Sequence, residues 1–155
     1  MNRPFSSLSI DLHKNKLYIP TSVRTEEGYG GTYSLHPITC IPIEEIEKLY
    51  QEVSKCMALG HPTRPKAELE QMTEKPMLEV TGTKSWRQLY KEMQGAWWLS
   101  LNKKNAFIIH DLVRRGSSTW EATSDRMEVF PLGTPVETAV ARLIERIRSR
   151  AAETI

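Results

Sequence analysis

Hydrophobic residues follow two different spacings along this chain, and the order of these spacings is what most constrains the fold. Leu8, Ile10 and Leu12 recur at every second position, the pattern of a strand with one buried face. Between residues 43 and 57 hydrophobic residues recur at every third or fourth position, as on one face of a helix. Strand-like segments come first, two helix-like segments follow, strand-like segments return, and a helix-like segment ends the chain. This order predicts an α+β fold with a mostly antiparallel sheet and about three helices.

The last predicted helix carries the clearest local signals. The run Thr134-Pro135-Val136-Glu137 is typical of a capping box with proline at the first helical position. The other helices are predicted over residues 43–57 and 85–94, with a short one at 66–72. We expect the last helix to pack on one side of the sheet through a hydrophobic stripe of Val136, Ala139, Val140, Leu143, Ile144 and Ile147.

The strands are predicted from alternation and from the turn residues between them. Residues 8–12 and 17–19 are expected to form a hairpin, with Pro20 ending its ladder or lying at an edge. The glycine-rich stretch 24–31 is expected to be a loop, either a plain hairpin turn or a mobile binding loop. Further extended segments are expected at 33–41, 78–80, 96–101, 106–113, 120–123 and 127–130.

Composition places the chain among ordinary globular proteins. Its 155 residues, 39% of them hydrophobic, can bury roughly 69% of the unfolded surface in one domain spanning residues 1–155. No apolar run has the length of a membrane helix and no signal peptide is recognisable, so we expect a cytoplasmic protein without a membrane partner. The 21 Lys and Arg residues nearly balance the 19 Asp and Glu residues, which argues against bulk affinity for nucleic acid.

Two His-Cys pairs are the candidate metal ligands, His36 with Cys40 and Cys56 with His61. Zinc accepts both residue types, but neither pair has the close Cys-x2-Cys spacing of a small zinc domain. The competing interpretation is two half-buried reduced thiols and two surface imidazoles. We therefore predict no metal and no other cofactor, and a zinc-stabilised module is the less favoured alternative.

No residue pattern points to catalysis. The chain has no Gly-x-Ser-x-Gly motif. The glycines at 28–31 lack the Lys-Ser/Thr pair and the following helix of a phosphate-binding loop. His110 and Asp111 are neighbours in a predicted strand, so their side chains should point to opposite faces and cannot share one ion. We predict that the protein is not an enzyme.

The last helix is also rich in arginine, with Arg142, Arg146, Arg148 and Arg150. These side chains could form a stripe that binds nucleic acid, which is the alternative function. Glutamates share the same helix, and arginine complements the dipole at a helix C-terminus, so a solvated face is the preferred interpretation.

The tryptophans divide into core residues and one candidate interface residue. Trp86, Trp97 and Trp98 are expected to pack in the core or against the sheet. Trp120 lies in a region rich in Ser and Thr and is expected to be the most exposed. Exposed aromatic residues are common anchors in protein interfaces.

Several short runs resemble a family of bacterial immunity proteins from contact-dependent growth inhibition systems. They cover most of the chain and are largely structural. The runs are Phe5-Ser6-Ser7-Leu8-Ser9-Ile10-Asp11, Lys16-Leu17-Tyr18-Ile19-Pro20-Thr21-Ser22, Thr83-Lys84-Ser85-Trp86-Arg87, Trp97-Trp98 and Val129-Phe130-Pro131.

The resemblance implies a cytoplasmic protein that binds and neutralises the C-terminal toxin domain of a neighbouring cell's adhesin, without catalysis of its own. Such toxins are often nucleases, so the partner is expected to be a cognate toxin domain rather than nucleic acid itself. No contact residue carries over by position. Because a nuclease site is usually basic, the expected contacts are mainly acidic. They are Glu26, Glu27 and Tyr29 in the glycine-rich loop, Glu44, Glu45 and Glu47 on the first helix, and Trp120.

Overall fold

The computed structural model describes residues 2–116 and 119–153 and has the predicted mixed α+β fold. Its strands are β1 (Ser7–His13), β2 (Lys16–Thr25), β3 (Thr32–Pro42), β4 (Thr63–Arg64), β5 (Gly95–Leu101), β6 (Phe107–Asp111), β7 (Val113–Arg115), β8 (Thr119–Glu121) and β9 (Met127–Val129). Its α-helices are α1 (Leu49–Leu59), α2 (Lys66–Glu70), α3 (Pro76–Thr81), α4 (Trp86–Glu92) and α5 (Val136–Glu153), and two 3-10 segments cover Ile43–Lys48 and Ser124–Arg126.

One sheet contains most of the described strands, in the order β3-β2-β1-β5-β6-β9. All of these neighbours pair antiparallel, while the short β4 adds a parallel pairing at the end of β2. β7 and β8 form a separate two-stranded ribbon. The prediction of a mostly antiparallel sheet is confirmed. Within the described residues, none of the helices combines the length and hydrophobicity that crossing a membrane requires.

The main core lies between one face of the sheet and the helices α1 and α5. The alternation of β1 sends Leu8, Ile10 and Leu12 into this core. The buried stripe of α5 meets them, and its Leu143 and Ile147 are completely buried. The C-terminal helix therefore packs on the sheet as predicted.

A second, smaller core lies on the other face of the sheet, under α3 and α4. Tyr18 and Ala96 from the sheet pack there against Met77 and Leu89 from the two helices. These helices cover only part of the face. Trp98, which pairs with Ser9 of β1 and faces this side, is 39% exposed.

Of the three tryptophans predicted to pack in the core or against the sheet, one is buried and two are partly exposed. Trp97 pairs with Ile10 and is buried in the main core, as expected. Trp98 is its neighbour in β5, so it points to the opposite face. Trp86 opens α4 on that same face and is also 39% exposed. Trp86 and Trp98 thus lie on the sheet face and not in the core, and they stay partly exposed because the layer above them is incomplete.

Three local predictions differ from the structure: the start of one helix, the type of one element and the capping contacts of another. The helix expected from residue 43 begins as the 3-10 segment Ile43–Lys48, because Glu45 has a non-helical backbone (φ −110°, ψ 24°). Residues 78–80, expected as a strand, belong to α3, which has Pro76 at its first position and Gly82 as a left-handed C-cap. The two predicted capping-box side chains of α5 have other partners: the Thr134 hydroxyl donates to Pro131 O (2.7 Å), and Glu137 accepts from Tyr50 (2.8 Å).

The seam between β1 and β2 is short. Only Asp11, Leu12 and His13 of β1 pair with β2, although β2 is ten residues long. Pro20 lies inside β2, at a register shift against β3. It also lies beyond Tyr18, the last β2 residue that pairs with β1, so it follows the end of the β1–β2 ladder. Since β1 does not pair with β2 at Pro20, the missing N–H breaks no bond between these strands.

Where β1 and β2 no longer pair, the buried ring of His61 bridges the two segments. Its Nε2 accepts the backbone N–H of Ser6 (3.0 Å), and its Nδ1 donates to the carbonyl oxygen of Ser22 (3.0 Å). The Phe5 ring stacks on it with centroids 5.7 Å apart. Burial and the nearby Arg24 lower the pKa of His61, so the ring is held neutral with the proton on Nδ1.

Candidate partner-binding surfaces

The glycine-rich loop joins β2 to β3 and lies against the start of α2. Gly28, Gly30 and Gly31 have φ angles of 86°, 99° and 92°, which other residues rarely adopt. A Cβ on Gly30 would lie 2.6 Å from the Lys66 side chain. The loop is thus a hairpin connection closely packed on α2, and it leads into a strand rather than into the helix that a phosphate site needs.

The three candidate residues of this loop differ in their exposure and in their contacts with the rest of the chain. Both carboxylate oxygens of Glu27 accept the backbone N–H of Lys66 (3.0 and 3.2 Å) and so tie the loop to the first residue of α2. Tyr29 is 66% exposed, and the Lys66 ammonium lies 5.8 Å from its ring centroid. The Glu26 side chain is exposed. Glu26 and Tyr29 are thus exposed, whereas the Glu27 carboxylate is held by its hydrogen bonds to Lys66.

The acidic residues of the first helix prediction lie on the 3-10 segment after β3. Glu45 pairs with Lys48 (2.6 Å), Glu47 pairs with Arg148 of α5 (2.6 Å), and Glu44 is exposed. The whole of β3 separates this segment from the glycine-rich loop, a distance of about 30 Å. The structure therefore brings Glu26, Glu27 and Tyr29 together but places the other three glutamates at the opposite end of the strand.

The arginines of α5 are already engaged by carboxylates. Arg142 bonds Glu128 and Glu145 (both 3.0 Å), and Arg146 bonds Asp111 (2.6 Å) and Glu128. Arg148 pairs with Glu47, and Arg150 with Glu153 (3.4 Å). Hydrogen bonds from Arg146 lower the pKa of Glu128, which keeps this network ionised. These pairs favour a structural role for the helix over a nucleic-acid stripe.

The four candidate metal ligands are spread over separate places. His36 bonds Glu79 (3.1 Å) on the sheet surface, and both ring nitrogens of His61 are taken by the backbone. Cys40 is exposed and Cys56 is half-buried, with burial raising the pKa of the Cys56 thiol to about 11. Within the described residues no three potential ligands come together. The expected exposure is wrong for Cys40, which is on the surface, and for His61, which is buried.

His110 and Asp111 point to opposite faces of β6, as predicted. The His110 ring meets the edge of Trp98 with centroids 5.7 Å apart, on the face of the second core. The Asp111 carboxylate accepts a hydrogen bond from Arg146 of α5 on the other face. The pair therefore cannot hold one ion.

An aromatic cleft opens on the sheet face opposite α5, with a volume of about 370 Å³. Trp86 and Tyr90 of α4, Trp98 of β5 and Trp120 of β8 line it, together with Asp11 of β1. Trp120 is half-buried because its indole N–H donates to the Tyr90 carbonyl oxygen (3.0 Å). The prediction that Trp120 is the most exposed tryptophan is wrong, since Trp86 and Trp98 are more open.

Asp11 is the residue of this cleft that the sequence analysis missed. The signal was present: Asp11 stands between Ile10 and Leu12, so the alternation that buries those two turns Asp11 to the opposite face. What the alternation does not show is that α4 covers that face. Taken together, the exposed surfaces provide aromatic contact area and local negative charge.

Known proteins with this fold include two solved structures. A protein of unknown function, NMB0488 from Neisseria meningitidis, has a TM-score of 0.62 and 19% sequence identity, over 91% of this chain and 94% of that one. A chain of the CdiA-CT/CdiI toxin and immunity complex from Yersinia pseudotuberculosis has a TM-score of 0.60 and 16% identity, over 94% of this chain and 96% of that one. At these identities the likeness is one of fold. No protein-family model and no curated protein matches the sequence.

Proposed function

We propose that this protein is an immunity protein, which binds a cognate toxin domain and neutralises it in a one-to-one complex. The observation that carries the proposal is the fold likeness to a chain of a toxin and immunity complex, which extends over nearly the whole of both chains. The short runs that resemble immunity proteins of contact-dependent growth inhibition support it independently. The protein would act in the cytoplasm, where the toxin reaches its substrate.

The proposed mechanism is occlusion without catalysis. The inhibitor covers the active site of the toxin or the approach of its substrate, and for a nuclease that surface is usually basic. Glu26 and Tyr29 on the glycine-rich loop and Glu44 on the 3-10 segment are exposed and suited to such a surface. Glu27, Glu45, Glu47 and Trp120 remain proposed contacts, although each already has a partner within this chain. Complementary charge would mainly accelerate association and select the partner.

The test is calorimetric titration with the C-terminal domain of the large exported protein encoded beside this one. We expect saturable one-to-one binding at nanomolar strength, about −12 kcal/mol. A toxin domain from an unrelated system is the matched control and should give no heat. Titration of the cognate domain without heat, together with full toxin activity in the presence of excess protein, would overturn the proposal.

A further inference from the structure

The aromatic cleft brings together four rings from three elements. Trp86 and Tyr90 lie one helical turn apart on α4, with ring centroids separated by 5.8 Å. Trp98 enters from the sheet, and Trp120 is fixed by its hydrogen bond to the Tyr90 backbone. The rings of Trp86 and Trp98 stay partly exposed. The cleft is therefore open to a side chain that projects from another molecule.

The carboxylate of Asp11 lies in this cleft without a partner. Among residues 2–116 and 119–153 it makes no hydrogen bond and no ion pair, and the described lining of the cleft includes no Lys or Arg. Burial alone raises the pKa of Asp11 to about 7, and the Asp11 charge in turn helps to raise the pKa of Tyr90. Carboxylates taken out of water are normally paired with a cation. In the free protein, Asp11 lacks such a cation among the described residues.

We propose that the cleft receives an arginine side chain of the partner protein, with its guanidinium stacked on the tryptophans and paired with Asp11. The aromatic faces and the carboxylate both attract a cation. Arginine fits this combination better than lysine because its guanidinium is planar, is more weakly hydrated, and can bind a carboxylate through two parallel hydrogen bonds. Arginine and tryptophan are also the residues that most often dominate the energy of an interface.

This inference rests on the proposed function for the identity of the partner, but the cleft itself can be tested without the toxin. The probe is N-acetyl-arginine methylamide, followed by NMR of the indole N–H signals at about pH 8, where Asp11 is ionised. We expect saturable shifts of the Trp86, Trp98 and Trp120 signals. The matched probe is the citrulline analogue, which has the same shape but no charge.

Asp11→Asn keeps the size of the side chain and removes its charge, so it should weaken binding of the arginine probe about fivefold or more. Asp125→Asn is the control, because Asp125 lies on the exposed 3-10 segment Ser124–Arg126, outside the described lining of the cleft. Equal shifts from the citrulline analogue, or unchanged binding of the arginine probe in Asp11→Asn, would overturn the inference. Tighter binding of a lysine probe would also overturn the choice of arginine.

The complex provides a second test that separates this inference from the proposed function. Asp11→Asn should weaken the complex with the toxin domain about tenfold or more, while Asp125→Asn leaves it unchanged. If the complex forms and is indifferent to Asp11→Asn, the arginine pocket is wrong and the immunity function stands. If wild-type protein binds the arginine probe but no toxin complex forms, the cleft stands as an arginine site and the toxin is the wrong partner.

Discussion

Asp11 shows how a single residue can follow the sequence pattern and still lie in an unfavourable environment. Alternation along β1 places Asp11 on the face opposite the main core, and in many antiparallel sheets that face is exposed to solvent. Here α4 covers part of that face, and burial raises the pKa of Asp11 from 3.8 to about 7. Removing water from the carboxylate disfavours its charged form, because no cation or donor among the described residues replaces the lost hydration.

Asp11→Asn should therefore stabilise the free protein, and by an amount that depends on pH. Between pH 4 and 7 the unfolded chain loses the Asp11 proton while the folded protein keeps it, so wild-type stability falls as the pH rises through this range. We expect the variant to be more stable at about pH 8 by up to about 4 kcal/mol, with a much smaller difference at about pH 4.5. Urea denaturation of both proteins at the two pH values measures this.

Tyr18, Tyr90 and His110 are further titratable groups on this face, and they do not produce the same pattern. The pKa of Tyr18 is raised, mainly by burial, so it titrates above this range. The pKa of Tyr90 is raised, mainly by burial, so it titrates above this range. The pKa of His110 is lowered by burial, and His110 is present in both proteins. An equal difference between wild type and variant at both pH values would contradict the expected burial of Asp11.

His61 is the second residue whose role depends on contacts far along the chain. Replacing it by alanine leaves the Ser6 N–H and the Ser22 carbonyl without partners, and we expect a loss of about 2–3 kcal/mol at neutral pH. His36→Ala is the control, because this ring is half exposed and pairs only with Glu79 on the surface; its cost should be below about 0.5 kcal/mol.

The contribution of His61 should also disappear in acid. The pKa of the folded ring lies below the ordinary 6.5, mainly because of burial, so the unfolded chain takes up the proton first. The stabilisation is present above pH 6.5 and is lost as the pH falls below it. Chemical denaturation at several pH values should show the gap between wild type and His61→Ala narrowing in acid; a constant gap would mean that the ring is not held neutral.

Alternation along a strand assigns residues to the two faces of a sheet, but it does not show what covers each face. Trp97 and Trp98 could be assigned to opposite faces of β5 by alternation alone. Which of the two is buried depends on α1 and α5 forming the main core on one face, while α3 and α4 cover the other face only in part. That difference comes from tertiary packing, which no local pattern contains. The unpartnered state of Asp11 was hidden for the same reason.

At the scale of elements, α5 is the helix that local signals describe best. Leu143 is completely buried at the centre of its stripe, and its replacement by alanine should cost about 2–5 kcal/mol of unfolding free energy. Ser149→Ala, on the exposed side of the same helix, should change stability by less than about 0.5 kcal/mol. Thermal and urea denaturation compare the two variants, and a loss near zero for Leu143→Ala would mean that the stripe does not pack on the sheet.

The elements that sequence patterns misplace are short or depend on distant contacts. The strand predicted at 78–80 is part of α3, because Pro76 starts a helix that packs on the sheet through Met77 and Leu78. β4 is two residues long and exists only by pairing with the end of β2. β5 and β6 lie at the extended segments predicted at 96–101 and 106–113, because the signal for each strand is local. The pairing of β1 with β5 joins segments that have no local signal for each other.

At the scale of the whole molecule, positive and negative charges nearly balance, so any acidic surface must be a local patch. The formal net charge is +2, so a basic partner must be recognised by individual carboxylates and not by an overall acidic surface. The glutamates proposed as contacts lie at the two ends of β3, so a partner of ordinary size need not touch both groups. Contact between the partner and each end of β3 therefore has to be tested with a separate variant.

Glu26→Lys is the variant that tests the loop end. Its side chain is exposed, so we expect stability to stay within about 0.5 kcal/mol while association with a basic toxin domain slows about threefold or more at low salt. Glu74→Lys introduces the same charge change at an exposed position between α2 and α3 and serves as the control. Stopped-flow association rates decide the matter, and equal rates for the two variants would remove the loop from the interface.

The strand order also decides when the sheet can close while the chain is being synthesised. β1 lies between β2 and β5, and Leu12 pairs with Gly95, so one edge of β1 stays open until more than half of the chain has left the ribosome. Pairing over such a separation is slow. An open edge carrying alternating leucine and isoleucine is meanwhile a template for pairing with other nascent chains. A chain that ends before β5 is thus expected to aggregate, even if β1, β2 and β3 pair correctly with one another.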